Sequence, residues 1–131
     1  MIVDTSALLA ILFDEREASD MVAALSAAPV RFVTAPTLVE ASAVLYARKG
    51  PGGDLALDAL LQRLSILTID MNAVAAAFAR GAYRRFGKGV GSPAVLNYGD
   101  CLAYGVAMAT GQPLLFKGAD FAQTDVVVAT Y

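Results

Sequence analysis

Short apolar runs alternate with longer segments of helical periodicity along this chain. Between the runs, apolar residues recur at intervals of three and four, the period of an amphipathic helix; Leu57, Leu60, Leu61 and Leu64 are an example. The runs themselves are too short for helices. They predict strands at residues 1–3, 30–33, 66–69 and 114–116, the first of them buried, to which residues 126–128 can add a final one.

Turn and capping residues predict where the helices begin and end. Asp4-Thr5-Ser6 supplies N-cap residues before a helix over residues 7–13, and Pro36 fits the first turn of a helix that runs to about Lys49. Asp70 lies just before a fifth helix, which it is expected to cap. Further helices are predicted over residues 16–28, 57–64, 71–86 and 97–110, and glycines mark breaks at residues 50–53, 87–91 and 111.

This alternation predicts the fold class. Four or five short strands separated by helices indicate an α/β three-layer sandwich with a short, mainly parallel central sheet flanked by helices, because parallel strands need crossover connections and are covered on both faces. The sequence contains no internal repeat, and its 131 residues match the size of one domain, about 100–150 residues. We therefore expect a single domain over residues 1–131.

Composition supports a packed protein and narrows its location. The chain is 57% hydrophobic and only 17% charged, which excludes disorder. Its longest uncharged run, residues 101–116, falls short of the ~20 apolar residues of a membrane helix, so no transmembrane span is expected. Asp4 stands where a secretory signal would carry positive charge. We therefore expect a cytoplasmic protein without a membrane anchor.

The residue types present restrict the possible chemistry. The chain has no histidine and one cysteine, Cys101, which excludes His-based nucleophilic triads, imidazole acid–base catalysis and Cys or His zinc sites within one chain. What remains is carboxylate chemistry. A net charge of −2 gives no overall attraction to nucleic acid, so any such binding must be local.

Several carboxylates stand alone in apolar segments, and Asp70 is one of them, although its place before a helix makes capping its expected role. Asp4, Glu40 and Asp100 are each the only charge over a long stretch of sequence. An isolated buried carboxylate costs several kcal/mol unless a cation or hydrogen-bond donors compensate it, and a shared divalent metal would explain all three. Asp4 also lies at the carboxyl end of the first strand, where open α/β sheets bind ligands.

Structural roles compete with this interpretation. Asp4 can simply cap a helix, Glu40 can face solvent, and Asp100 can stabilise the first turn of its helix. Asp120 and Asp125 can be turn residues. Hard cations such as Mg²⁺ and Mn²⁺ nevertheless prefer carboxylate oxygen, and such sites activate water and polarise phosphates.

Several of these stretches together resemble one family. The chain is similar to the PIN-domain ribonucleases, and within them to the VapC toxins of bacterial type II toxin-antitoxin pairs. The likeness runs from Met1 to about Val127 and is carried, in order, by residues 2–7, Glu40 in the Pro36-led helix, residues 97–101 and residues 111–121, with Thr124-Asp125 following. Four ordered stretches are a specific signal, whereas one alone is weak.

The resemblance implies an active site and an activity. It assigns Asp4, Glu40, Asp100 and Asp120 to the family's acidic, metal-holding quartet, with Asp125 as the alternative to Asp120. Thr5 or Ser6 corresponds to the hydroxyl residue beside the metal. Similar enzymes bind Mg²⁺, or Mn²⁺ in its place, and hydrolyse RNA phosphodiesters with metal-activated water. A VapB-like antitoxin that occludes the site and a homodimer are the partners that the resemblance implies.

A cluster of cations is the candidate for binding RNA. Between Asp70 and Asp100 there is no acidic residue. Phosphate binding competes here with simple complementation of a helix dipole. Exposed aromatic residues can stack on bases, as Tyr98 or Tyr104 would if not buried. The predicted substrate-binding residues are Arg80, Arg84, Arg85 and Lys88, with Lys117 near Asp120.

Two other functions compete with the metal-dependent endoribonuclease toxin. One is a catalytically silent PIN-like module that holds a basic peptide in its acidic cleft. The other is a phosphatase of the haloacid dehalogenase type, with Asp4 as nucleophile. That chemistry needs a second aspartate two residues later, where this chain has Ser6, so it ranks low.

Overall fold

A parallel four-stranded sheet forms the centre of the protein. The computed structural model describes residues 1–131. The strands follow the order β3-β2-β1-β4, with Ile2 of the central strand aligned with Phe32 on one side and Leu114 on the other. The strands are β1 (Ile2–Val3), β2 (Phe32–Thr34), β3 (Leu67–Ile69) and β4 (Leu114–Leu115).

Six helices cover the two faces of this sheet. Five of the six predicted helices coincide closely with observed ones. The helix predicted over residues 57–64 begins earlier in the structure. A short 3₁₀ turn follows β4 at Phe121–Gln123. The helices are α1 (Thr5–Leu12), α2 (Ala18–Ala27), α3 (Ala35–Lys49), α4 (Gly52–Arg63), α5 (Ala73–Phe86) and α6 (Tyr98–Thr110).

Alternating side chains of the short strands form two separate cores. Val3, Val33 and Leu115 pack into a core with α1, α2, α3 and α4. Ile2 and Leu114 point to the opposite face and pack into a second core with α5 and α6. Because the side chains of a strand alternate between faces, even a two-residue strand supplies both cores. The predicted α/β fold with helices on both faces of a parallel sheet is confirmed.

Polar N-cap residues start the helices that line the carboxyl edge of the sheet. Thr34 ends β2, and its hydroxyl accepts from the amide of Thr37 at 3.1 Å. Asn97 accepts from the amide of Asp100 at 2.9 Å. Each cap satisfies an amide that the first helical turn leaves unpaired, so the chain turns sharply from strand or loop into helix.

Three local predictions are wrong. Asp70 does not cap α5, because Asn72 accepts from the amide of Ala75 at 3.0 Å. Residues 126–128 form no strand: they meet β4 through one bridge between Leu114 and Val128, since β4 itself is only two residues long. Helix α4 begins at Gly52, inside the stretch of residues 50–53 predicted as a break.

The longest helices are also too short or too polar for a bilayer. No helix of the structure meets the length and hydropathy that a membrane crossing requires.

Candidate active site

Asp4 lies at the centre of the carboxyl edge of the sheet. It directly follows β1, and its amide donates to the carbonyl of Leu115 at 2.9 Å. Its Oδ2 accepts from the amide and the hydroxyl of Ser6, at 2.9 and 2.6 Å. Asp4 therefore does cap α1, and it does so with one carboxylate oxygen only.

Burial makes the negative charge of Asp4 costly. The residue is 2% exposed. Loss of solvent raises its pKa to about 6; the Ser6 hydrogen bonds oppose this shift, and the charges of Asp100 and Glu40 add to it. No basic side chain forms an ion pair with Asp4. The structure thus places a carboxylate without a cationic partner in a dry position.

Glu40 reaches Asp4's side of the site from the second turn of α3. The Thr5 hydroxyl donates to its Oε2 at 2.6 Å, which joins the start of α1 to α3. Glu40 also lies directly against Gly99: a Cβ atom at that position would stand 2.5 Å from Oε1 and 2.6 Å from Oε2. The carboxylate therefore rests on the bare backbone of the first turn of α6.

Asp100 lies in the first turn of α6 and belongs to a capping box. Its Oδ2 accepts from the amide of Asn97 at 2.7 Å, while the Asn97 side chain accepts from the Asp100 amide. Burial raises the pKa of Asp100, and the charges of Asp120 and Glu40 raise it further. The expected first-turn role and a position beside the other carboxylates are both realised.

The structure separates Asp120 from Asp125. Asp125 points to α5 and α6, where it accepts from Arg85 at 2.8 Å and from the Tyr104 hydroxyl at 2.5 Å. The Tyr104 hydroxyl bond holds the pKa of Asp125 below its usual range. Asp120 is exposed, accepts no side-chain hydrogen bond, and is near enough to raise the pKa of Asp100.

The predicted cations take different positions. Arg80 and Arg84 line a cleft that also contains Tyr98. Arg85 pairs with Asp125 and stacks on Phe86, with 4.4 Å between its guanidinium carbon and the ring centroid. Lys88 is exposed and forms no ion pair.

Lys117 is close to the site through its backbone. Its amide donates to the Ser6 hydroxyl at 2.9 Å, which ties the segment after β4 to the start of α1. Its ammonium group turns away and pairs with Glu15, and with Glu17 at 3.6 Å. The structure therefore leaves Arg80 and Arg84 as the predicted cations that face a cleft beside the carboxylates.

The donor set fits a hard divalent cation. Asp4, Glu40 and Asp100 each have one oxygen bound to a protein donor and one oxygen without such a partner. None of them pairs with a basic residue. As placed, no three carboxylates already form a group that could hold an ion. Carboxylate oxygens are the ligands that Mg²⁺ and Mn²⁺ prefer, so the chemistry of these residues fits such an ion.

Fold and site together define a class of protein. It is a parallel α/β protein with an acidic, cation-free cluster at the carboxyl edge of its sheet, as expected of metal-assisted phosphodiester chemistry. A family model described as PIN domain matches residues 1–127. Ribonuclease VapC of Mycolicibacterium smegmatis is 46% identical over 126 residues, which cover 96% of this chain and 97% of that protein. This chain belongs to the PIN-domain family, among its VapC ribonucleases.

Solved structures show the same fold. VapC20 of Mycobacterium tuberculosis, a sarcin-ricin loop cleaving toxin, superposes with a TM-score of 0.76 at 19% identity, over 96% of this chain and 95% of that one. VapBC2 of Rickettsia felis, bound to a DNA fragment from its promoter, gives 0.73 at 17% identity, over 97% and 94%. The resemblance carried by the sequence motifs is confirmed.

Two contributors to the site escaped the sequence interpretation. Gly99 carries no chemistry, yet its lack of a side chain lets Glu40 reach α6; its only signal is its position next to Asp100. Asp125 is held by hydrogen bonds from Arg85 and Tyr104, which lie far from it in the chain, so no local sequence pattern predicts these contacts.

Proposed function

We propose that this protein is a divalent-metal-dependent endoribonuclease toxin whose metal ligands are Asp4, Glu40, Asp100 and Asp120. The observation that supports it most is the group of carboxylates at the carboxyl edge of the sheet that no basic side chain neutralises. Its sequence similarity to a protein named ribonuclease VapC supports RNA as the substrate and hydrolysis as the reaction.

Asp4 and Asp100 are the principal metal ligands in this proposal. Bound Mg²⁺, or Mn²⁺ in its place, supplies Lewis-acid polarisation of the scissile phosphate and activates water for in-line attack. Glu40 and Asp120 complete the acidic set from α3 and from the segment after β4. Each of Asp4, Glu40 and Asp100 offers the oxygen that has no protein donor.

Thr5 and Ser6 hold the acids in place. The Thr5 hydroxyl donates to Glu40, and the Ser6 hydroxyl donates to Asp4 while accepting from the Lys117 amide. These bonds restrict the rotation of both carboxylates. They also connect the segment that carries Asp120 to the helix that Asp4 caps.

Two protein partners belong to the proposal. A VapB-like antitoxin is the expected inhibitor, because the Rickettsia felis structure is of a VapBC pair. A homodimer is proposed on the exposed apolar residues of α3: Val39 is 70% exposed and Tyr46 is 60% exposed. Apolar side chains of this size on a helix surface favour a protein partner.

The proposal is tested by RNA cleavage with antitoxin-free protein. A panel of structured RNAs is incubated with Mg²⁺, with Mn²⁺ and with EDTA. We expect cleavage with either metal and none with EDTA. The variants Asp4→Asn and Asp100→Asn should lose more than the ~10–100-fold typical of residues that stand behind a metal ligand. Asp58→Asn, an exposed acid on α4, is the matched control and should cleave normally.

A different result would favour the silent binding module. Full activity in both Asp4→Asn and Asp100→Asn would refute the assigned ligands. Folded wild-type protein that binds RNA or a basic peptide equally with Mg²⁺ and with EDTA, and cuts no RNA, would replace the nuclease with a binding function.

A further inference from the structure

A cleft of about 530 Å³ lies beside the carboxylates, between α5 and the start of α6. Its size is within the ~300–1,000 Å³ of small-molecule sites. Apolar side chains make up most of its wall, and two arginines stand at its rim. Its principal lining residues are Met71, Ala79, Arg80, Arg84, Tyr98 and Leu102.

The cleft is continuous with the acidic site. Met71, Tyr98 and Leu102 also line a second depression, whose wall includes Glu40 and Gly99. Tyr98 is therefore shared between the cleft that contains the arginines and the depression that contains Glu40. A ligand that extends from Glu40 into the cleft can contact its ring.

The polar groups of the cleft are unpartnered. Arg80 and Arg84 form no ion pair and no side-chain hydrogen bond within the protein. Tyr98 is 76% exposed, whereas Tyr104 on the same helix is 1% exposed. A large aromatic ring in solvent, beside two free guanidinium groups, is the combination that binds a flat base and its phosphates.

We infer that this cleft holds an unpaired nucleotide of the RNA next to the scissile phosphate, with its base stacked on Tyr98 and its flanking phosphate at Arg80 and Arg84. The inference rests on the proposed function and adds to it a preference for single-stranded RNA at the cut, because a base within a duplex cannot reach the ring. An apolar peptide or a second copy would bury two guanidinium groups without anions, which is costly.

Binding without cleavage tests the subsite directly. The probes are fluorescein-labelled octauridylate, octaadenylate and an eight-base-pair RNA duplex, titrated at low salt in EDTA by anisotropy. We expect Tyr98→Ala to weaken single-strand binding by about 5- to 150-fold, the range of one base–aromatic stack. Tyr98→Phe should retain affinity, because it keeps the ring. Tyr131→Ala, which removes another exposed tyrosine and lies outside the cleft, is the matched control and should bind as wild type.

The proposed phosphate contacts of the arginines are tested by the salt dependence of RNA binding. Arg80→Gln and Arg84→Gln should each lower the slope of log affinity against log salt by about 0.7, the value for one phosphate contact to a single strand. Unchanged slopes in both variants would remove the phosphate contact from the proposal. If Tyr98→Ala binds the single strands and the duplex with equal affinity, and that affinity is the wild-type one, no base stacks on Tyr98 and this part of the proposal is wrong.

Cleavage kinetics separate this inference from the proposed function. With an RNA that the wild type cuts, Tyr98→Ala should raise KM with little change in kcat, because Tyr98 binds the substrate away from the reacting phosphate. If the wild type cleaves the RNA and Tyr98→Ala has the same KM, the proposed nucleotide subsite is wrong, whereas the proposed nuclease function stands. If Tyr98→Ala instead converts a dimer to a monomer in sedimentation velocity without affecting RNA binding, the cleft is an interface between copies, and the inference is wrong.

Discussion

Glu40 owes its position to two neighbours, the Thr5 hydroxyl and the backbone of Gly99. The first is a hydrogen bond of 2.6 Å, and the second is an absence of side-chain atoms. A methyl group at Gly99 would meet only the end of a flexible glutamate, so the fold can accept it. The site cannot accept it equally well, since the carboxylate would have to move.

We therefore expect Gly99→Ala to separate stability from activity. Alanine favours a helix over glycine by up to ~1 kcal/mol, so the melting temperature should stay equal or rise. Metal-dependent RNA cleavage should fall by about tenfold or more, because Glu40 is displaced. Gly81→Ala is the control: it lies within α5 with no atom within 4 Å of the added carbon, and should stabilise without loss of activity. Normal cleavage by Gly99→Ala would mean that Glu40 needs no such contact.

Asp120 and Asp125 are distinguished by their partners. Asp125 receives hydrogen bonds from Arg85 and Tyr104, whereas Asp120 has none. Asp125→Asn should therefore keep cleavage near the wild-type level, because its side-chain oxygen can still accept from Tyr104. Asp120→Asn should lower it. Asp125→Ala should also cost ~1–3 kcal/mol of stability, since the buried Tyr104 hydroxyl loses its acceptor. Urea unfolding and cleavage rates measured on all three variants provide the check, and the opposite ranking of activities would place Asp125 in the site.

Single residues are predictable only where their neighbourhood in sequence is informative. Asp4, Glu40 and Asp100 stand alone in apolar segments, and that isolation is visible in the sequence itself. The choice between Asp120 and Asp125 depends on Arg85, some forty positions earlier, and local sequence carries no sign of that contact.

At the scale of elements, α5 and α6 form the most extensive helix pair of the protein, and Gly105 sits at their contact. A Cβ atom there would stand 2.9 Å from the side chain of Ala79 and closer still to the backbone carbonyl of Ala75. The first turn of α6 carries Asp100, and α5 carries Arg80 and Arg84. The separation of these helices therefore sets the width of the cleft between them.

Gly105→Ala should be destabilising despite the better helix propensity of alanine. The added methyl meets backbone atoms of α5, which cannot rotate away, so we expect a loss of ~1–3 kcal/mol in the free energy of unfolding. Chemical denaturation measures it. Gly81→Ala again serves as the control, because it adds the same atom to α5 in open space. Equal stability of the two variants would show that the helix pair adapts freely.

The elements themselves are largely predictable, because apolar periodicity and caps are local. In each exception the outcome depends on a neighbouring strand and not on the segment itself. Asp70 and Asn72 are both good capping residues, and which one caps α5 depends on where β3 stops. Residues 126–128 are β-branched and apolar, but pairing needs a partner strand, and β4 offers only two residues.

At the scale of the whole molecule, folding removes Asp4 from solvent and, to a smaller extent, brings it near the like charges of Asp100 and Glu40. The pKa of Asp4 rises from 3.8 to about 6 on folding. Between these values the folded state holds a proton that the unfolded state has released. We therefore expect the contribution of Asp4 to the free energy of unfolding to fall as the pH rises from about 4 to about 6, by an amount on the order of 3 kcal/mol, and to stay low above pH 6.

A divalent cation should reverse this loss. We expect Mg²⁺ or Mn²⁺ to raise the melting temperature above pH 6 and to have little effect below pH 4, where Asp4 is protonated and binds metal poorly. Differential scanning calorimetry in EDTA and in each metal, at several pH values, measures both effects. Asp4→Asn should flatten the pH dependence between 4 and 6 and abolish the response to metal. An identical metal response in Asp4→Asn and wild type would exclude Asp4 as a ligand.

The place of β1 between β2 and β4 has a consequence for synthesis. Strand β1 leaves the ribosome before β2 and can pair with it early, but the other edge of β1 stays open until Leu114 and Leu115 have been made. Asp100 and Asp120 come from the same late part of the chain. A nascent polypeptide thus carries Asp4 and Glu40 before Asp100 and Asp120 have been made, so the proposed metal site can form only after the segment with Asp120 has emerged.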